Sequence, residues 1–144
     1  TTLMREYGIE GKVKTLAGQG IPILGTCAGM IVLARRIVGM EQPSLDLIDI
    51  DVRRNAFGRQ VDSFEADLDM PVLGQGPLRA VFIRAPTIER TGPGVQVLGR
   101  LPDGHPVAAQ QGTVLVAAFH PELTADTRFH SYFLSLATRR KAKA

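Results

Sequence analysis

The chain has no tryptophan, two tyrosines and a single cysteine in 144 residues. One cysteine cannot close an internal disulfide, so the sequence gives no sign of a disulfide-stapled secreted domain. No apolar stretch approaches the roughly 20 residues needed to span a bilayer, and no membrane partner is expected. The opening residues, Thr1-Thr2-Leu3-Met4-Arg5, lack the charge, apolar core and cleavage site of a signal peptide. A reduced, cytoplasmic setting is therefore expected. Basic and aromatic residues do not interleave, which argues against a nucleic-acid groove. No grouping of His, Cys, Asp and Glu has metal-ligand spacing, so no metal is expected.

What remains is ordinary globular composition, 44% hydrophobic and 22% charged, in a chain long enough for one domain with its own core. The net charge of +3 comes from 17 basic and 14 acidic residues. Much of the excess lies in Arg139-Arg140-Lys141 and Lys143, read as cations closing a helix and a basic tail over 139–144. Leu3 to Gln19 is amphipathic enough for a helix, broken by Gly8, Gly11 and Gly18. Ile21 to Leu24 reads as a buried strand and Ala28 to Val38 as a helix stopped by Gly39. Leu45 to Val52 is strand-like with one imperfect beat. Arg53 to Gln60 reads as an arginine-rich loop, followed by strands over Val61–Leu68 and Leu78–Arg84. Val95–Leu101 and Pro106–Gln110 flank Pro102-Asp103-Gly104 as a hairpin. Thr113 to Phe119 suits a central strand. Asp126 is a candidate N-cap, and Phe129, Tyr132, Phe133 and Leu136 form one helical stripe, with His130 off it and facing solvent. The pattern implies one α/β domain, with an antiparallel patch around 95–110.

The cysteine sits at the centre of Gly25-Thr26-Cys27-Ala28-Gly29, between an apolar run and a helical one. Strand, sharp turn and helix in that order present a nucleophile in α/β enzymes. The glycines permit a strained turn, and a following helix aims N–H groups at the sulfur, both favouring thiolate. Such a cysteine needs a base. Of His105, His120 and His130, His120 follows the buried-looking strand, at the kind of strand end where α/β folds collect chemistry. Glu122, two residues on, is placed to hold the second ring nitrogen of His120 and fix its tautomer. Cys27, His120 and Glu122 are thus candidate nucleophile, base and orienter.

The elbow Gly25 to Met30 and His120-Pro121-Glu122 resemble class I (triad-type) glutamine amidotransferases. Three further stretches are similar to the glutaminase subunits of pyridoxal 5′-phosphate synthases. They are Arg54-Asn55-Ala56-Phe57-Gly58-Arg59-Gln60 running into Val61 to Glu65, Phe82-Ile83-Arg84-Ala85-Pro86, and Ala118 to Thr124. The resemblance covers essentially the whole chain. It implies a three-layer, flavodoxin-like α/β domain over 1–144 with a mostly parallel central sheet and an antiparallel hairpin patch. It also implies hydrolysis of L-glutamine through a Cys27–His120–Glu122 triad and a glutamyl thioester, with the Ala28 backbone N–H as oxyanion donor. Arg54, Ile83 and Arg84 would hold the glutamine. The ammonia would pass to a (β/α)₈ synthase subunit, and this chain would need no cofactor or metal of its own.

One departure from the family's pattern stands out. Members begin with a strand-helix-strand unit ending in Gly-Gly-Glu-Ser before a Thr-Thr stretch, whereas this chain opens at Thr1-Thr2. It reads as a family member without roughly its first 50 residues. A molecule that truly lacked them would be expected to have little glutaminase activity, since loss of one oxyanion donor can cost about 10²–10³ in rate. Two alternatives stand beside the main reading: another class I amidotransferase domain, and a silent truncated fragment that only docks to the synthase.

Overall fold

A computed structural model describes residues 9–39, 44–54 and 63–143, without the side chains of 9–10 and 139–143. Helix α1 is Ile9–Gly18. It carries Gly11 in its interior without a break and packs Val13 on the core. Strand β1 (Ile23–Thr26) leads through Cys27 into α2 (Ala28–Leu33).

The helix expected to run from Ala28 to Val38 stops at Leu33, and β2 (Ala34–Ile37) follows directly. Tertiary partners take the carbonyls that would have continued it. Leu45, Leu47 and Asp46 donate their backbone N–H groups to the carbonyls of Val32, Leu33 and Ala34 at 2.8, 2.9 and 3.1 Å. The imperfect beat in the next strand also has a cause. Asp46 sits at φ 53°, a left-handed turn that delays β3 to Ile48–Arg53. Strands β4 (Ser63–Leu68) and β5 (Leu78–Ile83) pair antiparallel. The strand β6 (Thr87–Thr91) was not foreseen, because Pro86 reads as a stop and the five residues carry two charges. Strands β7 (Gln96–Arg100) and β8 (Pro106–Gln111) form the expected hairpin, and β9 is Val114–Ala117.

The described strands order as β1-β9-β8-β7, β2-β3-β6 and β4-β5. Parallel pairing joins β1 to β9 and β2 to β3, while four pairs are antiparallel. Antiparallel ladders therefore extend beyond the hairpin. The core runs through the β9 residues Val114 to Ala117, every one buried, into Ala118 and Phe119. A chain of rings crosses it: Phe64 stacks on Phe82 at 4.6 Å, Phe82 meets Phe119 edge-on at 5.8 Å, and Phe119 meets Phe129 at 5.2 Å. Phe129 belongs to α3 (Arg128–Lys143), whose backbone includes the basic residues expected to form a tail. Asp126 accepts the Arg128 N–H at 3.0 Å, as a cap should. Arg128 in turn donates to the carbonyls of Gln75, Gly76 and Pro77, which fixes the approach to β5. No helix among the described residues is long and apolar enough to cross a membrane.

Candidate active site

Cys27 is the turn between β1 and α2, and its backbone is held at φ 53°, ψ −110°. Side chains other than glycine's rarely tolerate that region. Three contacts enforce it. The Cys27 N–H donates to the carbonyl of Ala117 at 2.8 Å, and the Cys27 carbonyl accepts from Met30 and Ile31 at 3.1 and 3.4 Å. The turn is possible because position 25 is glycine. A Cβ there would lie 2.6 Å from Leu33 Cδ1 and 2.7 Å from the Gly29 carbonyl oxygen, so strand and helix close on each other over bare backbone.

Strand β5 supplies the second support. The Cys27 thiol donates to the Ile83 carbonyl at 3.7 Å. Two residues earlier, the Val81 carbonyl accepts the backbone N–H of His120 at 2.9 Å. His120 lies three residues past the end of β9 and opens a 3₁₀ turn over Pro121–Leu123. That turn swings Glu122 back over the imidazole, so that Nδ1 of His120 is 2.9 Å from Oε2 of Glu122.

The electrostatics correct one expectation. The thiol of Cys27 is pushed up from its ordinary value, not down. Burial is the largest cause. The Ala28 N–H, which reaches the sulfur, opposes it, and the negative charge of Glu122 adds to it. The helix that was to lower this pKa spans only Ala28–Leu33, too short to aim a full dipole at the sulfur. Glu122 is held below the usual carboxylate range. Burial works against that, but its own backbone N–H, the hydrogen bond from His120 and the charges of His120 and His130 prevail. His130 is thus half-buried near the carboxylate and not simply solvent-facing.

In front of the sulfur lies a cleft of about 300 Å³ lined by Cys27, Ala28, Ile31, Arg54, Arg84 and Pro86. Two of the three residues foreseen for substrate, Arg54 and Arg84, therefore face the cysteine together. Arg84 does so from φ 45°. Ile83 stands differently: its side chain is 40% exposed, and its carbonyl, not its side chain, meets the sulfur. Glu122, on the 3₁₀ turn Pro121–Leu123, is near enough for its charge to act on the Cys27 thiol, and neither it nor His120 lines the cleft. Asn55 to Gln60, with Val61 and Asp62, lie outside the described residues. Sequence reasoning missed Ile31 and Pro86. The helical spacing of Ile31 from Cys27 was the available signal. No metal-binding group of His, Cys, Asp and Glu occurs among the described residues.

Comparison with known proteins bears on this arrangement. The model of the SNO glutamine amidotransferase family matches residues 1–139. The chain belongs to that family. It is 58% identical over 137 residues to the pyridoxal 5′-phosphate synthase subunit PdxT of Pelotomaculum thermopropionicum, covering 95% of this chain and 69% of that protein. The PdxT of Acidothermus cellulolyticus is 54% identical over 140 residues, with 93% and 68% covered. A crystal structure of a glutamine amidotransferase superposes with a TM-score of 0.88 at 54% identity, over 95% of this chain and 72% of that one. A glutamine amidotransferase of Thermotoga maritima, 16% identical with a TM-score of 0.58 over 96% of this chain and 56% of that one, shares the fold alone. The α/β architecture is thus that of the glutamine amidotransferases.

Proposed function

We propose that this chain is the glutaminase subunit of a pyridoxal 5′-phosphate synthase, hydrolysing L-glutamine to L-glutamate and ammonia. One observation carries the chemistry: the thiol of the strained Cys27 and the backbone N–H of His120, whose ring is bound by Glu122, meet alternate carbonyls of one strand, those of Ile83 and Val81. The names of the PdxT relatives support the assignment to the synthase.

Burial pushes the Cys27 thiol up from its ordinary value, so the nucleophile is made by proton transfer. His120, with Nδ1–H directed at Glu122, offers Nε2 as the base. The thiolate attacks the carboxamide carbon of glutamine, and the carbonyl electrons move onto oxygen. The Ala28 N–H, ahead of the first donor of the helical ladder, stabilises that oxyanion. Collapse breaks the C–N bond, His120 returns its proton to the departing ammonia, and a γ-glutamyl thioester remains. A water deprotonated by His120 then attacks the thioester and frees Cys27. Arg54 and Arg84 grip the α-carboxylate with their guanidinium forks, and Ile83 presents its backbone at the reacting end.

The ammonia passes to a (β/α)₈ synthase subunit. The chain acts as one glutaminase domain over 1–144 and takes no nucleic acid, membrane or metal as partner. A nucleophilic thiol works only while reduced, which fits a cytoplasmic setting. The test is glutamate release from L-glutamine by the intact protein, with and without the synthase subunit. Turnover stimulated by the synthase is expected. No glutamate in either arm overturns the reading.

A further inference from the structure

The six residues around the cleft divide by chemistry. Cys27 and Ala28 serve the carboxamide end of an amino-acid amide, and Arg54 and Arg84 its carboxylate end. Ile31 and Pro86 are left over, and both are apolar. Between the two polar ends of glutamine lie two methylene groups with no polar partner to seek. We propose that Ile31, together with Pro86, is the apolar wall on which those methylenes lie, which makes Ile31 a specificity-determining residue of this cleft. The inference rests on the glutaminase reading above and extends it to a residue that the triad does not use.

The placement of Ile31 supports this role. It stands on α2, four residues beyond the turn at Cys27, and lines the same cleft as that residue. Its N–H is 3.4 Å from the Cys27 carbonyl, which ties the wall to the nucleophile by one backbone bond. The side chain is half-buried: it packs on the core from one side and faces the cleft from the other. A β-branched chain has one strongly preferred χ1 rotamer in a helix, so the wall is preformed. Pro86 is buried and fixed by its ring.

The experiment uses the intact protein with its synthase partner and two competitors of glutamine hydrolysis. L-Norvaline carries the α-amino acid group and an apolar chain, while L-alanine carries the same group without the chain. In Ile31→Ala, inhibition by L-norvaline and the KM for glutamine should each weaken about tenfold, with inhibition by L-alanine and kcat held within about twofold. Ile31→Val, which keeps the branch, should recover most of the loss. A general collapse of the site would weaken both competitors alike, and that result overturns the proposal, as does a variant in which neither moves. If the wild-type protein neither hydrolyses glutamine nor is bound by L-norvaline, the glutaminase reading falls and the wall falls with it.

Discussion

The sulfur of Cys27 lies 3.7 Å from the carbonyl oxygen of Ile83, although 56 residues separate the two in sequence. Val81, two places back on β5, holds the backbone of His120. Alternate carbonyls of a strand face one edge, about 7 Å apart at a rise of about 3.3 Å per residue. One edge of β5 therefore holds both the thiol of Cys27 and the backbone of His120, the candidate nucleophile and base. The strand is in turn fixed by its six-residue ladder with β4 and by the Arg128 clamp on Gln75, Gly76 and Pro77. Cys27 and His120 are thus both tied to this strand by hydrogen bonds to its backbone.

The strain at Cys27 gives the first prediction. A non-glycine residue in a sparsely populated region costs about 1–3 kcal/mol. Glycine adopts φ 53° without that penalty but is disfavoured by about 0.4–1 kcal/mol through the entropy of the unfolded chain. The strain is the larger quantity. Cys27→Gly should therefore unfold at a higher temperature than Cys27→Ala, which keeps the strain. Both should lose turnover on the order of 10⁶-fold, as loss of a nucleophile does. Thermal unfolding of the two variants side by side checks the order, and a Cys27→Gly less stable than Cys27→Ala sinks the strain argument.

The second prediction separates thiol acidity from catalysis. Glu122 raises the Cys27 thiol through its charge while orienting His120. Glu122→Gln should thus shift alkylation of Cys27 by iodoacetamide to lower pH. Glutamine hydrolysis should nevertheless fall about 10²–10⁴-fold, because the imidazole loses the partner that sets its tautomer. The signs for stability follow from the same shifts. A thiol raised in the folded state stabilises the fold below its unfolded pKa, and that contribution is lost as pH rises through the folded value. A carboxyl lowered in the folded state, as Glu122 is, contributes above its unfolded pKa and loses that contribution as pH falls through the folded one. Urea midpoints against pH should therefore decline less on the alkaline side in Cys27→Ala, and less on the acid side in Glu122→Gln. Wild-type slopes in both variants would refute the assignments.

Much of this site was legible because its signals are local. Gly25-Thr26-Cys27-Ala28-Gly29 announces a tight turn through residue types alone, and His120-x-Glu122 needs only one turn of backbone to close. The strand over Leu78–Ile83 and the stripe Phe129, Tyr132, Phe133 and Leu136 follow from periodicity. The early end of α2 was not legible, because the residues that take its last carbonyls, Leu45 to Leu47, come from beyond the next strand. Nor was the direction of the thiol's pKa. The motif foretold the helix N-terminus but not the burial that outweighs it. Ile31 was hidden for the converse reason: an isoleucine on a short apolar helix looks like core, and only the shape of the cleft sets it apart.

The third prediction concerns the glycine that makes the elbow possible. Gly25 is buried, and a methyl group there would meet Leu33 Cδ1 at 2.6 Å and the backbone oxygen and carbon of Gly29 at 2.7 and 2.8 Å. The leucine tip could turn aside, but the Gly29 backbone belongs to α2 and carries no slack. Relief requires α2 to move away from β1, and with it the Ala28 N–H and the cleft face of Ile31. Overpacking of this kind costs about 1–3 kcal/mol. Gly25→Ala should lower the urea midpoint accordingly, and hydrolysis should fall much further than the lost folded fraction explains, since a misplacement of about 1 Å can cost 10²-fold in rate. Adding Leu33→Ala should not restore the activity, because it leaves the contact with the Gly29 backbone in place. Full activity in Gly25→Ala would mean that the helix shifts freely, and that the elbow's tight closure is not what positions the thiol.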